Sequence, residues 1–230
     1  MFNIFYKSVS LLVLFICINK GMNTDILYPY LTVYGIQSEL NIKMKNSEKF
    51  VDWTEENFKY VRYNPRKPID RWGLSITSYD GGLSGIPDLD SIGEYCVENN
   101  VSLEESDFNI PTEVYKQSRE LQKILEPFKG HFYRTHILKL NPGGFFPKHR
   151  DLRQTNFNNF RLIIPLKNPC TFIVEDKILN WDIGTMYFVD TSKVHQLFNA
   201  TEEPSYWLVL NVNLTEEIFN EVTKRFFYKA

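Results

Sequence analysis

Side chains that commonly bind metal ions stand close together in the second half of this sequence. In the stretch "GGFFPKHRDL", residues 143–152, one residue separates His149 from Asp151, after glycines and a proline that interrupt regular structure. His195 follows later in the chain. Imidazoles and carboxylates are frequent metal ligands, so the three residues predict a metal site. The alternative is that His149 and Asp151 cap a surface turn and that His195 bonds a neighbouring carbonyl.

The spacing of these residues fits a site with three protein ligands. Residues i and i+2 of an extended segment point to the same side, so His149 and Asp151 can reach one ion. His195 begins a predicted strand, and pairing of that strand would bring it to the same ion. Two imidazoles and one carboxylate occupy one face of an octahedral metal, as in non-haem Fe(II) oxygenases, and leave positions open for other ligands.

Strands must position these residues, and the chain after Gly130 is rich in strand signals. Short runs of aromatic and β-branched residues alternate there with Pro, Gly, Asn and Asp. No helical pattern separates the runs, so they indicate an antiparallel sandwich or jelly roll. The predicted strands are HFYRTHILKL, FRLIIPLKN, TFIVEDKILNW, TMYFVDT, HQLFNA and YWLVLNVN.

Helices are predicted on both sides of this strand-rich region. Residues 111–126 predict one helix that begins at Pro111, and a second helix over 215–228 is predicted to be capped by Asn213. The stretch 25–110 is mixed, with one strand in "RWGLSITSYDGG", while "GIPDLDSIGEY" and "ENNVSLEESDFNIP" are predicted as loops. The predicted fold class is therefore mainly β with flanking helices (α+β).

Composition is that of one globular domain, predicted over residues 25–230 with its core at about 130–214. Of 230 residues, 43% are hydrophobic, and a net charge of -2 without a basic run gives no sign of nucleic-acid binding. A small molecule or peptide is the expected partner. Three scattered cysteines fit a reducing compartment, so a cytoplasmic location is predicted. Residues 1–24 allow two interpretations. Their apolar run at 8–18 is a possible signal or anchor, which would place the protein in the secretory pathway or on a membrane. Alternatively, they result from a mis-assigned start.

The predicted strands and ligands resemble a known enzyme family. The runs "PGGFFPKHRD", "FRLIIPLKNP", "FIVEDKILNWDIGTMYFVDTSKVHQLFN" and "WLVLNV" are similar to the aspartyl/asparaginyl β-hydroxylase group of Fe(II)- and 2-oxoglutarate-dependent oxygenases. The resemblance implies a double-stranded β-helix (jelly-roll, cupin-like) core in which His149, Asp151 and His195 bind Fe(II). It implies a dioxygenase that uses 2-oxoglutarate and O₂ to hydroxylate a C–H bond of a peptidyl side chain, an amino acid or a small metabolite.

The resemblance also implies a cation that binds the distal carboxylate of 2-oxoglutarate. Family members usually carry an arginine for this purpose on the last core strand, where this chain has Ser205. Arg161 is the predicted replacement, because it alternates with apolar residues on one face of a strand and arginine binds carboxylates well. Arg134 is the second candidate, and Ser205 is predicted to add a hydroxyl. Alternatively, Arg161 covers a sheet edge or pairs with Glu175.

The absence of an arginine at this place on the last core strand favours a rival interpretation of the whole site. The chain would then be a cupin-like metal- or ligand-binding protein without oxygenase activity. Hydrolysis by a zinc-bound hydroxide is a third possibility for the same ligands. Dependence on 2-oxoglutarate and O₂ distinguishes these three interpretations.

Overall fold

The fold is known from a computed structural model, which describes residues 27–151 and 159–226. The predicted signal or anchor at residues 1–24 lies outside the described residues. Thirteen strands are present among them. They are β1 (Gln37–Lys43), β2 (Val61–Arg62), β3 (Arg71–Ser75), β4 (Thr77–Ser78), β5 (Ile110–Pro111), β6 (Phe132–Leu140), β7 (Phe145–His149), β8 (Asn159–Lys167), β9 (Thr171–Val174), β10 (Lys177–Ile178), β11 (Thr185–Val189), β12 (His195–Phe198) and β13 (Ser205–Asn213).

Two antiparallel sheets face each other and form a double-stranded β-helix, which confirms the predicted fold class. The large sheet has the order β1-β11-β8-β13-β6-β3-β2, and the small sheet has the order β10-β9-β12-β7. Successive core strands alternate between the sheets, as in a jelly roll. All six strand runs predicted after Gly130 contain strands, although "TFIVEDKILNW" divides into β9 and β10.

The four central strands of the large sheet, β11, β8, β13 and β6, contribute side chains to two separate cores. On β13, Trp207 packs between the sheets, whereas the neighbouring Leu208 packs on the opposite face. On β8, Ile163 and Ile164 divide in the same way. This alternation with a period of two is what a strand buried on both faces requires. The core between the sheets is the one that reaches the predicted metal ligands.

Helices cover the outer face of the large sheet. The buried face of the final helix includes Ile218 and Val222, and no described helix is long and apolar enough to span a membrane. Six α-helices occur in the described residues: α1 (Leu27–Thr32), α2 (Ser47–Asn57), α3 (Ile92–Asn99), α4 (Glu113–Gln117), α5 (Arg119–Leu125) and α6 (Glu216–Thr223).

The helix predicted over residues 111–126 is wrong in its start and its continuity. Pro111 pairs with Thr77 in a short β-ladder, and the chain forms two helices, α4 and α5, that meet at Ser118. Ser118 is extended, and its hydroxyl accepts a hydrogen bond from the Leu121 amide, so it caps a new helix. Helical periodicity of apolar residues does not reveal such an internal cap.

Two further predictions need correction. Asn213 ends β13, and Thr215 caps α6 instead: its hydroxyl accepts from the Ile218 amide at 3.2 Å. The stretch containing "SIGEY", predicted as a loop, forms helix α3. None of the side chains of α3 is fully buried, so this helix lacks the apolar face that a sequence pattern detects.

A glycine turn between β6 and β7 sets the position of the predicted ligand strand. Gly143 N donates to Asn199 O at 2.8 Å, and Asn199 N donates to Gly144 O at 2.9 Å, which joins this turn to the end of β12. A Cβ atom added to Gly144 would lie 2.3 Å from the carbonyl oxygen of Asp70. Only glycine allows the turn to approach the neighbouring backbone so closely.

We therefore expect Gly144→Ala to lower the free energy of unfolding by about 2 kcal/mol, because a methyl group must displace packed backbone. Urea unfolding followed by circular dichroism measures this change. Gly93→Ala is the matched control, since nothing lies within 4 Å of its added Cβ and it sits in α3. That control should be neutral or slightly stabilising. Equal effects of the two substitutions would contradict the packing argument.

Asp88, 2% exposed, gives the fold a specific pH dependence. Burial raises the pKa of its carboxyl from 3.8 to about 6, although the Tyr79 amide donates to it at 2.9 Å. The folded state therefore holds a proton that the unfolded chain releases at lower pH. Stability from this group is complete below about pH 4 and is lost as pH rises through about 6.

Asp88→Asn should remove this loss, which amounts to about 3 kcal/mol for a shift of about two pKa units. The amide can still accept from the Tyr79 amide and donate to Ser75. Melting temperatures of both proteins between pH 4 and pH 8 test the prediction. The variant should gain stability relative to the wild type as pH rises from 4 to 6, and parallel curves would contradict it.

Candidate metal centre

The three predicted ligands meet at one end of the space between the sheets. His149 ends β7 and pairs directly with His195, the first residue of β12. The Asp151 amide donates to the Thr191 carbonyl at 3.0 Å, which holds the carboxylate beside the segment that leads into β12. One ligand atom from each of the three residues lies within 4.8 Å of the others. Strand pairing therefore assembles a two-histidine, one-carboxylate cluster.

Backbone carbonyls orient both imidazoles of this cluster. The Nδ1 atom of His149 lies 2.7 Å from the Pro147 carbonyl oxygen, and Nδ1 of His195 lies 3.0 Å from that of Lys193. A carbonyl only accepts hydrogen bonds, so each Nδ1 carries the proton and donates it. Each Nε2 then presents its lone pair, which is the tautomer that a metal-binding histidine needs.

The charges around the cluster favour its metal-binding protonation state. Burial opposes ionisation of Asp151, but the charge and hydrogen bond of Arg161 outweigh it and lower the pKa of the carboxyl to about 2. Burial also lowers the pKa of His195. At neutral pH the site therefore offers an ionised carboxylate and an uncharged His195 imidazole, and no proton must leave either group before a cation binds.

Arg161 lies directly against this cluster. Its Nε donates to Oδ2 of Asp151 at 2.9 Å, and Glu175, the suggested alternative partner, instead lies 3.9 Å from Nζ of Lys193. Burial opposes the charge of Arg161, but Asp151 outweighs this effect and raises the pKa of the guanidinium. The side chain lines the pocket that contains the three ligands. Arg161 therefore contacts a predicted metal ligand, and its role as cosubstrate anchor stays a prediction.

Arg134, the second predicted anchor, is engaged outside the pocket wall. Its guanidinium donates to Glu105 at 3.1 Å and to the carbonyls of Asp88 and Asp90 at 2.8 and 2.6 Å. Arg134 has a φ of +43°, at a bulge where the β6–β13 register shifts. The bulge breaks the regular alternation of β6, which would otherwise put Arg134 and His136 on one face of the strand.

His136 is a pocket residue that the sequence did not distinguish from a structural histidine. It is 4% exposed, and its Nδ1 lies 3.0 Å from the Arg134 carbonyl oxygen. Burial lowers its pKa to about 3, so the ring is uncharged at neutral pH. Tyr63, which follows β2, lines the same pocket, and its ring centroid lies 5.3 Å from that of His136. No motif in the first half of the chain indicates Tyr63.

Ser205 does not line the pocket, and the walls of the pocket are largely apolar. The Ser205 hydroxyl accepts from the Cys170 amide at 3.1 Å and from Trp207 Nε1 at 2.8 Å, and it is fully buried. It is not among the described residues that line the pocket. Between the sheets the pocket is largely apolar, with walls that include Leu138, Ile163, Phe172, Leu197 and Trp207. The predicted hydroxyl contribution of Ser205 stays a prediction.

Comparison with solved structures finds distant likenesses. A prolyl-4-hydroxylase from Pseudomonas putida is 9% identical, with 84% of this chain and 100% of that chain covered, at a TM-score of 0.45. An oxidoreductase of the 2OG-Fe(II) oxygenase family from Burkholderia pseudomallei is 12% identical, with 72% and 77% covered, at a TM-score of 0.42. A predicted oxalate decarboxylase from Thermotoga maritima is 19% identical, with 39% and 74% covered, at a TM-score of 0.31. No curated protein matches the sequence.

More than half of this chain matches a known protein family. The family described as aspartyl/asparaginyl β-hydroxylase matches residues 99–214, just over half of the 230 residues. The match includes the strands of the double-stranded β-helix and all three residues of the cluster. On this evidence the chain belongs to the aspartyl/asparaginyl β-hydroxylase family.

Proposed function

We propose that this protein is an Fe(II)- and 2-oxoglutarate-dependent dioxygenase that hydroxylates an unactivated C–H bond. The observation that carries the proposal is the convergence of His149, Asp151 and His195, with one ligand atom of each within 4.8 Å of the others. Two imidazole nitrogens and a carboxylate oxygen are the donor set that suits Fe(II) with open coordination positions. Membership of the family supports the same activity. The organic substrate is a peptidyl side chain, an amino acid or a small metabolite.

The chain positions the reactants and the bound groups supply the redox chemistry. Fe(II) with 2-oxoglutarate and O₂ provides the oxidising power for C–H cleavage, with succinate and CO₂ as coproducts. His149 and His195 hold the metal through Nε2 atoms whose direction is set by the Pro147 and Lys193 carbonyls. The apolar walls of the pocket exclude water from the reacting groups, which protects the oxidant from side reactions.

In this proposal Arg161 positions the carboxylate ligand. It donates to Oδ2 of Asp151, which leaves Oδ1 on the side of His149, whose Nε2 lies 3.7 Å away. A hydrogen-bonded carboxylate keeps one orientation, and such outer partners commonly strengthen metal binding. The remaining N–H groups of Arg161 have no acceptor in the described part of the chain, so they remain available to a ligand in the pocket.

One observation favours a second candidate, a cupin-like metal- or ligand-binding protein without oxygenase activity. Ser205 stands where family members usually carry an arginine on the last core strand. Its hydroxyl already accepts hydrogen bonds from Cys170 and Trp207. Apolar residues surround the interior of the pocket. A protein of this second kind would bind a metal through the same three ligands but would show no affinity for 2-oxoglutarate.

The purified full chain should form succinate slowly from 2-oxoglutarate when supplied with Fe(II), ascorbate and air, even without its organic substrate. His149→Ala and Asp151→Ala should reduce this formation to background, because each removes a metal ligand. His131→Ala is the matched control and should retain the activity, since His131 precedes β6, contacts Glu217 of α6 and does not line the pocket. Metal binding without affinity for 2-oxoglutarate would support the cupin-like candidate. A hydrolase with a zinc-bound hydroxide would form no succinate even in air, because conversion of 2-oxoglutarate to succinate and CO₂ needs an oxidant.

Arg161→Met should weaken metal binding by about 10- to 100-fold, because Oδ2 of Asp151 loses the hydrogen-bond donor that holds the carboxylate in one orientation. Calorimetric titration with Mn(II) at pH 7 measures the affinity without turnover. Arg150→Met is the control, since Arg150 is exposed and adjacent to both ligands in sequence. Its affinity should match that of the wild type. An unchanged affinity in Arg161→Met would remove the positioning role.

A further inference from the structure

Arg71 is a buried cation with no anionic partner among the residues that the structure describes. It begins β3, and only 5% of the residue is exposed. The one side-chain hydrogen bond that it forms with the described residues runs from Nε to the Tyr63 carbonyl oxygen at 3.4 Å. No carboxylate of the described residues forms an ion pair with it, although the other strongly buried arginines, Arg134 and Arg161, each pair with one.

Aromatic rings surround the Arg71 guanidinium without satisfying it. Its Cζ atom lies 4.3 Å from the Phe146 ring centroid and 5.4 Å from that of Tyr63. These rings attract a cation but offer no lone pair in the plane of the guanidinium, where its N–H groups point. Burial accordingly lowers the pKa of Arg71. A buried charge is seldom left unpaired, so the missing partner is expected in a bound ligand.

The two rings that contact Arg71 belong to the pocket of the metal cluster. Tyr63 and Phe146 both line it, and the Phe146 ring stacks on the ring of His149 with centroids 6.1 Å apart. Arg71 therefore lies one aromatic ring away from a metal ligand. A ligand that binds the metal at one end and carries a carboxylate at the other would extend that carboxylate toward Arg71 along this aromatic wall.

Arg71 lies in the same cross-strand row as Ser205, which stands where family members usually carry an arginine. Arg71 pairs with Leu140 on β6, and Leu140 pairs with Ser205 on β13. The three residues form one row across the large sheet, with Leu140 packed in the core between the sheets. Ser205 occupies the place where the family resemblance puts the arginine. A cation at Arg71 thus lies at the same depth of the barrel as a cation at Ser205 would.

We propose that Arg71 binds the distal carboxylate of 2-oxoglutarate in this protein. This inference rests on the proposed function and names the residue that completes the cosubstrate site. Arg161 is the less suitable cation, because Asp151 already matches its charge at 2.9 Å. Arg71 gains most from a carboxylate, since a planar guanidinium binds one through two parallel hydrogen bonds.

The test compares two ligands that differ only in the distal group. Quenching of Trp fluorescence in the full chain loaded with Mn(II) reports binding of 2-oxoglutarate and of 2-oxopentanoate, which has a methyl group in place of the carboxylate. The wild type should prefer 2-oxoglutarate by roughly 30-fold or more, as expected for a buried charge pair. Arg71→Met should bring this preference close to one while leaving the affinity for 2-oxopentanoate nearly unchanged.

Two further variants separate this role from others. Arg62→Met makes the same substitution on β2, where Arg62 is partly exposed and packs over Trp72, and it should keep the full preference. Arg71→Lys should keep part of it, because it retains the charge without the fork of N–H groups. The metal-free Arg71→Met protein should melt no lower than the wild type by more than a few degrees, since it loses no ion pair.

The outcomes distinguish failure of this inference from failure of the proposed function. A wild type that binds neither ligand overturns both. A preference for 2-oxoglutarate that persists in Arg71→Met and Arg71→Lys overturns the inference and leaves the proposed function intact. A preference that disappears in Arg161→Met but not in the Arg71 variants assigns the carboxylate to Arg161 and likewise overturns the inference.

Discussion

The ion pair between Asp151 and Arg161 joins the two halves of the double-stranded β-helix. Asp151 follows β7, an edge strand of the small sheet, and Arg161 lies on the large sheet, so their contact at 2.9 Å connects the two sheets beside the pocket. The orientation of the carboxylate and its ionisation both depend on this contact. A buried pair of this kind contributes little net stability when intact but is costly to break. The ion pair orients the Asp151 carboxylate. Backbone carbonyls orient the two imidazoles beside it.

Backbone irregularities do as much as side chains to arrange this site. The bulge at Arg134 changes the side-chain alternation of β6, and the Arg134 carbonyl then lies beside both His136 and Asn211. The guanidinium of the same residue connects this strand to the segment around Asp88 and to Glu105. A residue predicted to bind a ligand therefore serves to hold the N-terminal half against the barrel, and the pocket obtains its inner wall as a result.

Local pattern was sufficient to predict the jelly roll and to single out three residues that the fold brings together, because strand alternation and i, i+2 spacing are properties of neighbouring residues. His149 and Asp151 share one short segment, and His195 begins a strand with a strong β signal. Tyr63 and Arg71 could not be found in this way, since pairing of β2 with β3 and of β3 with β6 brings them near the pocket, and β3 and β6 are distant in sequence. The break at Ser118 and the bulge at Arg134 were missed for a related reason. Each depends on a single hydrogen-bonded geometry that composition does not report.

The short strands of the N-terminal half oppose intermolecular strand addition between copies of this protein at high concentration. Without them, the nine-residue strand β6 would present a long row of unpaired amide and carbonyl groups to other chains. Strand β3 covers that row, and the sheet then ends at β2, which has only two residues. At the opposite margin, the amide of Asn41 donates to the Arg225 carbonyl just beyond α6. Both margins of the large sheet are thus poor templates for intermolecular strand addition.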